Sequence, residues 1–284
     1  MVQKAQAAFS VFAHRNELKD LLIRRYWQRN KTFIIKADGV TAVFDSSDFL
    51  SNIFFWHGEF SGYEPAVCEF LVARVKTARI YADVGGNVGV FSILPALVNP
   101  NCEIFCFEPD ITIKPIMLRN MKLNRLEERR ITLVNAAVGD GSAELEYIPH
   151  VCSFLAKFGN ENIDAYDVKY HAPMVRLDDY FREHGTDPDL LKIDIDGAEL
   201  SALRGASRIL KDIRPDMLLE VHPAFLPRFG TNASEVCDFL SAFNYRFFLI
   251  DNFRNVATPR LVEIFHFDDL TSGTGDMIFV TAKS

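Results

Sequence analysis

From residue 78 onward, short runs that are apolar at nearly every position alternate with longer stretches whose apolar residues recur at helical spacing. The short runs are "ARIYADVG", "CEIFCFEP", "ITLVNAAVGD", "LLKIDID" and "DMLLEVHP"; between them lie a helix from Val88, "PIMLRNMKLN" and "ELSALRGASRIL". A strand that is apolar on both faces has to be covered on both, so this order predicts a mostly parallel sheet flanked by helices, a doubly wound α/β domain. Toward the end of the sequence, "NASEVCDFLSAFN" lines Val236, Phe239, Leu240 and Phe243 along one helix face and feeds "YRFFLIDNF" and then "GDMIFVTAK". A loop rather than a long helix joins these last two segments, which predicts an antiparallel pair at one sheet edge. Residues 142–177 are the least regular stretch.

Residues 1–75 read as an accessory or cap region ahead of the main domain at 76–284. An N-terminal helix is expected to turn Leu18, Leu21, Leu22 and Tyr26 inward. The stretch "TFIIKADGVTAVF" predicts a hairpin at Asp38-Gly39, a dipeptide that accepts the positive φ of a tight primed turn. Next, "SGYEPAVCEFLVARVK" predicts a helix through Ala66, Phe70, Leu71 and Val75, with Pro65 where a first turn tolerates it.

Charge and composition narrow the function classes. The net charge of -7 argues against a nucleic-acid surface, which needs clustered Lys and Arg. The exception is residues 1–36, where eight Lys or Arg stand against only Glu17 and Asp20. Such a segment suits a solvated helix face, an anionic partner, a phosphorylated substrate, a membrane surface or a homodimer contact. No apolar run approaches the ~20 residues that cross a bilayer, and no signal segment is evident, so a cytoplasmic protein is expected. Five cysteines (Cys68, Cys102, Cys106, Cys152 and Cys237) without C-x-x-C spacing indicate neither a disulfide framework nor a zinc site.

The chemistry begins at "YADVGGNVGVFS". Gly85, Gly86 and Gly89 let backbone approach a ligand closely, and the following helix presents free N–H groups. The dinucleotide fingerprint G-x-G-x-x-G fails here, because counting from Gly85 puts Asn87 and Val90 at its second and third glycines. The next strand ends in Glu108, an acid placed to accept hydrogen bonds from a ribose diol. A glycine turn with a strand-end acid but no pyrophosphate spacing points to an adenosine cofactor without a diphosphate.

At the other strand ends, the period of two in "LLKIDIDGAEL" sends Lys192, Asp194 and Asp196 to one side, and "LLEVHP" sends Glu220 and His222 to one side. Ligands of parallel α/β sheets sit beyond these carboxyl ends. His222 has a general base's intrinsic pKa, with Asp194 or Asp196 as alternatives or as orienters of its ring, and Lys192 pairs with an acid or takes part in the chemistry. Asp194, Asp196, Glu199 and Glu220 offer oxygen ligands for Mg²⁺, but their spacing fixes no cage and no metal is expected.

Taken together, "DVGGNVGVFS", "FEPD", "NAAVGD", "VRLDDYF", "LLKIDIDGAELSALRGA" and "LLEVH" resemble, in order and spacing, the FkbM family of S-adenosylmethionine-dependent methyltransferases, over about residues 60–225. The resemblance implies a class I, Rossmann-like fold with a seven-stranded sheet and S-adenosyl-L-methionine as cofactor. It implies that Asp83 and the Gly85 backbone hold the methionine portion, that Asn87 and Gly89 shape the loop, and that Glu108 binds the ribose. Asn135 and Ala136 would then lie near the adenine, and Asp194 beside the sulfonium. Gly86 stands where the family more often has Ala, a change expected to be tolerated; Asp196 stands where Glu is frequent, with a shorter reach.

The reaction expected is methyl transfer to a hydroxyl of a sugar, glycan or polyketide-like small molecule, since "DIDGAE" replaces the Asn-Pro-Pro-aromatic turn common in base-directed enzymes. The Phe-rich "FLSNIFFWHGEF" and "VCSFLAKF" would supply apolar walls. The competing classes are a cofactor-binding regulatory or scaffold protein without catalysis, and a nicotinamide-dependent oxidoreductase, which the broken fingerprint disfavours.

Overall fold

Five strands run parallel through the centre of the molecule: β3 (Ile80–Val84), β4 (Glu103–Phe107), β5 (Thr132–Val134), β9 (Leu190–Ile193) and β10 (Asp216–Val221). The structure is a computed structural model and describes residues 32–45, 64–141, 144–147, 170–254, 258–268, 270 and 275–282. The expected N-terminal helix with its dimer contact, residues 1–31 of the basic segment, Cys152 and the two Phe-rich segments lie outside these residues. Among the described residues, no helix is long and apolar enough to cross a membrane.

Sheet order explains the apolar runs. The strands line up as β12 (Arg260–Ile264), β11 (Tyr245–Asp251), β13 (Asp276–Ala282), β10, β9, β3, β4 and β5, so β3 and β9 are central and are covered on both faces. On one face lie α1 (Pro65–Val75), α2 (Val90–Val98) and α3 (Lys114–Leu123), packed through Leu71, Ile93, Leu94 and Met121. On the other lie α4 (Leu177–Glu183), α5 (Glu199–Gly205) and α6 (Ala233–Ser241), packed through Phe181, Leu203, Val236 and Leu240. Asn232 caps α6 by accepting the Glu235 N–H. The doubly wound reading therefore holds.

The closing strands differ from the sequence expectation. β11 (Tyr245–Asp251) and β13 (Asp276–Ala282) do pair antiparallel, but β13 lies between β10 and β11 rather than at the edge. The edge is β12 (Arg260–Ile264), which makes the sheet eight-stranded instead of seven-stranded. β12 is a half-exposed strand whose Glu263 pairs with Arg246 across the ladder, and a polar edge strand lacks the apolar run that marks a central one. Among the described residues at the two ends of the 142–177 stretch, β7 (Glu144–Tyr147) and β8 (Tyr170–Val175) pair antiparallel, and β8 also pairs with β6 (Ala137–Val138).

The predicted hairpin forms from β1 (Thr32–Ala37) and β2 (Val40–Asp45), with φ of 41° at Asp38 and 79° at Gly39. It is not a separate body. Ile35, Ala37, Ala42 and Phe44 are buried in the same core as α1, α2 and α3. Two backbone N–H groups of β2, at Val43 and Asp45, donate to the side-chain carbonyls of Asn124 and Asn120 at 2.8 Å each. A boundary at residue 76 thus marks a change of element type without a break in packing.

The turn after β3 is where backbone geometry is least negotiable. Gly85 has φ 87°, and a Cβ there would fall 1.9 Å from the Asp194 carbonyl oxygen. At Gly86 a Cβ would fall 2.0 Å from Cys106 Sγ, so the glycine makes room for a thiol of the neighbouring strand. Alanine at 86 requires that thiol to shift or to be absent. Gly86→Ala is expected to destabilise the fold by ~1–3 kcal/mol through overpacking, and Cys106→Ala added to it should restore most of the loss. Chemical denaturation of the two variants checks this; equal loss in both would show that the thiol is not what the glycine accommodates.

Candidate active site

Three strand ends meet at the carboxyl edge of the sheet, and their register fixes which side chains face one another. Asp83 of β3 lies directly opposite Lys192 of β9. Asp83 is 0% exposed and Lys192 1% exposed, so neither charge has water to lean on. Lys192 Nζ sits 2.8 Å from Asp194 Oδ2, 3.9 Å from Asp83 Oδ1 and 4.6 Å from the centre of the Phe91 ring. Burial opposes the ammonium, but the two carboxylates outweigh it and hold Lys192 above its ordinary range. Burial likewise opposes ionisation of Asp194, and the lysine overrides it, bringing Asp194 down to about 2. Asp83 is pushed up by burial, against the pull of Lys192 and a 2.6 Å hydrogen bond from Ser92 Oγ to its Oδ2. Its Oδ1 has no hydrogen-bond partner among the described residues.

The second group stands one strand away. His222 follows β10 directly, with Nε2 3.3 Å from Glu220 Oε1 and 3.7 Å from Asp196 Oδ1. Its ring stacks on Phe225 at 4.9 Å, and Gly275 packs so closely that a Cβ there would fall 2.4 Å from His222 Cε1. Arg254, in the turn after β11, donates to Glu220 Oε1 at 2.7 Å. Burial pushes Glu220 up to about 7, with Asp194 adding to the effect. For His222 burial works against the charge, yet the Glu220 hydrogen bond and the surrounding carboxylates raise it to about 9. The imidazole therefore holds its proton more firmly than a free histidine side chain does.

The expected residues come together with two changes of role. β9 ends at Ile193, so alternation along the strand does not extend to Asp196; a left-handed residue there, φ 52°, carries its carboxylate to His222. Lys192 is an internal counter-ion to Asp83 and Asp194. Glu199 accepts the Gly197 N–H at 2.9 Å and is pushed up to about 8 by burial, which makes it a brace for the turn after β9. Asp194, Glu220 and His222 bring one ligand atom each within 4.8 Å of one another, a spacing a metal ion could bridge, although Lys192 and Arg254 already neutralise two of them.

On the other side of the glycine turn, Glu108 directly follows β4 and accepts N–H groups from Asn87 at 2.9 Å and from Asp110 at 2.9 Å. Burial raises its carboxyl to about 7 despite those two donors. Asn135 donates to the carbonyls of Glu108 and Pro109, at 3.0 and 2.8 Å, and so fixes the strand tip beside buried Ala136. Gly89, φ 92°, opens α2. Sequence reasoning missed Ser92, Arg254 and Glu64. Ser92 is one helical turn into an apolar segment, and Arg254 and Glu64 reach the site from turns whose position only the tertiary fold determines.

This is the carboxyl edge of a doubly wound α/β sheet, where such domains bind their ligands. Residues 83–247, more than half of the chain, match the Methyltransferase FkbM domain, and the chain belongs to that family. Methyltransferase sdnD of Sordaria araneosa is 27% identical over 162 residues, which cover 47% of this chain and 62% of that protein. Methyltransferase 1 of Beauveria bassiana (strain ARSEF 2860) is 25% identical over 173 residues, 53% of this chain and 67% of that protein. The crystal structure of Methyltransferase FkbM from Methylobacillus flagellatus KT aligns with 17% identity and a TM-score of 0.45, covering 71% of this chain and 43% of that one. The chain thus spans less than two thirds of the length of the Sordaria relative.

The site's titrating groups make stability depend on pH. Glu108, Glu199, Glu220 and His222 all have raised values in the folded state, so the fold binds their protons more tightly than the unfolded chain does. Their contribution is full below the unfolded values and is lost as pH rises toward the folded ones. The melting temperature without ligand should therefore fall between about pH 5 and about pH 9, with a shallower fall in Glu220→Gln. Melting curves that rise over that window, or a variant with an unaltered slope, would contradict this account.

Proposed function

We propose that the chain is an S-adenosylmethionine-dependent O-methyltransferase acting on a hydroxyl of a sugar, glycan or polyketide-like small molecule. The observation that carries the reading is the arrangement of acids around the glycine turn. The buried Asp83 Oδ1 lacks a hydrogen-bond partner among the described residues, Glu108 stands at the tip of the adjacent strand, and Gly85 lets the turn between them pass under the Asp194 carbonyl. A zwitterionic, positively charged nucleoside suits that set better than a dinucleotide does, because an excess of carboxylates favours a cation and repels a pyrophosphate. Asp83 and Gly85 would hold its methionine end and Glu108 its ribose; both Glu108 oxygens are already bonded to backbone, but each retains a second lone pair. Asn135 would act through its grip on the Glu108–Pro109 backbone.

Bound there, S-adenosylmethionine would supply an electrophilic methyl group on sulfur. The protein's part is to align an acceptor oxygen behind that methyl and to remove its proton as the bond forms. His222, held between Glu220 and Asp196, is the proton acceptor in this reading, and Asp194 sets the charge beside it. Since His222 is raised to about 9, it has to lose its proton before it can act, and a nearby sulfonium assists that loss by repulsion. Lys192 holds Asp194 ionised in the dry interior, offsets part of the burial that pushes Asp83 up, and is a positioning residue. The acceptor class rests on the absence, after β9, of a turn suited to stacking a nucleobase, and on the acidic character of the strand ends.

Two measurements test the assignment. Glu108→Ala should weaken S-adenosylhomocysteine binding by ~1–3 kcal/mol in titration calorimetry, the value of charge-assisted hydrogen bonds, and unchanged affinity would remove the ribose role. With a hydroxyl-bearing acceptor identified from a panel, kcat/KM should rise with pH to a plateau above about 9, and His222→Ala should lose that rise along with ~100-fold or more in rate. A His222→Ala enzyme with normal turnover would end the base assignment.

A further inference from the structure

Glu64 directly precedes α1, in the segment ahead of the main domain, yet its side chain belongs to the group of charges at the strand ends. We infer that Glu64 is a ligand-binding residue whose carboxylate receives the α-ammonium group at the methionine end of an S-adenosyl ligand. This rests on the methyl-donor reading above and adds to it a contact from outside the glycine turn and the β9–β10 edge.

An acid at the start of a helix ordinarily turns back to cap that helix's own N–H groups. Glu64 makes no such side-chain cap. Its carbonyl accepts the Cys68 N–H at 3.0 Å, so the backbone starts the helix while the carboxylate goes elsewhere. The residue is 4% exposed, and its Oε2 has no hydrogen-bond partner among the described residues. The arginine beside it, Arg254, has Nε 4.0 Å from Oε1, while that guanidinium donates to Glu220 at 2.7 Å and to the Gly275 carbonyl at 3.0 Å. The backbone is held in the left-handed region, φ 42° and ψ 60°, just before Pro65, where both the side chain and the following proline disfavour it. Strain of this kind persists where packing overrides it, and it clusters at ligand sites.

The chemistry of the missing partner follows from the company Glu64 keeps. Burial, then Glu220 and Asp194, push its carboxyl well above the usual range, while Arg254 and Lys192 pull the other way. Asp194 and Lys192 also act on Asp83, whose Oδ1 is likewise without a hydrogen-bond partner among the described residues. Two buried acceptor oxygens in a neighbourhood with surplus negative charge call for a cation with several donors. An ammonium group has three donors and a full charge; a lone hydroxyl has one donor and none. The methyl donor and its demethylated product both carry such an ammonium, on the end that Asp83 and Gly85 would hold.

The test compares two ligands on the full chain by titration calorimetry: S-adenosylhomocysteine, and the same thioether lacking only its amino group. Wild type should bind the amino form more tightly by ~10-fold to 100-fold, the range of a charge-assisted hydrogen bond. Glu64→Gln should remove most of that preference by weakening the amino form, and should leave the deaminated form within about twofold. If Glu64→Gln does not fold, Glu64→Asp, which keeps the charge and retracts it by one methylene, is read in the same comparison and should show a smaller loss confined to the amino form. Equal weakening of both ligands, or of neither, overturns the inference and leaves the cofactor reading standing. A wild type that binds neither ligand overturns the cofactor reading itself. Mn²⁺ binding by wild type, seen by electron paramagnetic resonance and lost in Glu64→Gln while S-adenosylhomocysteine affinity is unchanged, would replace the ammonium by a metal ion.

Discussion

A lysine with almost no access to water, wedged between the ends of two central strands, sets the terms for everything around it. The register that pairs β3 with β9 puts Lys192 opposite Asp83, and the turn after β9 returns Asp194 to within 2.8 Å of it. An ammonium so placed is tolerable only with anionic partners, and removing one member of such a buried pair typically costs about 3–5 kcal/mol. The lysine in turn holds Asp194 in its charged form and pulls Asp83 the same way against the burial that opposes it. The pair therefore fixes the shape of the glycine turn and the polarity of the ligand edge through one interaction. A hydrophobic replacement could preserve the fold and still leave the edge without its charge pattern.

Around that centre the molecule is a set of mutual dependencies at short range. Gly85 passes under the Asp194 carbonyl, Gly86 makes room for the Cys106 thiol, and Glu108 ties Asn87 of the turn to Asp110 of the next loop. Each contact joins neighbouring strand ends, so a ligand held on one strand is positioned against groups on the others. The β9–β10 side works in the same manner. His222 is oriented by Glu220 from its own strand, by Asp196 from the neighbouring turn and by stacking on Phe225, and Arg254 ties Glu220 to the turn after β11.

Much of this was legible in the sequence, for physical reasons that also mark the limits. Buried parallel strands announce themselves as apolar runs, and the glycine turn, Glu108 and the Asp194–His222 cluster fall at the ends of those runs. Asp38-Gly39 specified its hairpin because few other dipeptides tolerate two positive φ values. β12 escaped notice because an edge strand with Arg260 and Glu263 lacks the apolar signal. The position of β13 was hidden because local pattern determines which segments pair far better than it determines which strand inserts between two others. Period-two counting gave Asp196 the right neighbourhood for the wrong reason, since a left-handed turn, and not strand alternation, delivers it. Lys192 read equally well as a reacting group or a counter-ion, and only its burial between two acids distinguishes the roles. Glu64, Ser92 and Arg254 carry no local mark at all: each depends on where a helix or turn docks.

The insertion of β13 between β10 and β11 has a consequence for how the centre comes into being. Gly275 at the start of that strand presses on both His222 and Glu220, and Arg254 reaches Glu220 while holding the Gly275 carbonyl. The wall behind the imidazole is thus supplied by a segment more than fifty positions later in the sequence. During synthesis, the glycine turn and its acids can assemble well before that wall emerges from the ribosome, whereas the histidine acquires its final setting only afterward. A nascent chain halted before residue 275 would own every candidate reacting group and still hold none of the β10 pair in its finished environment.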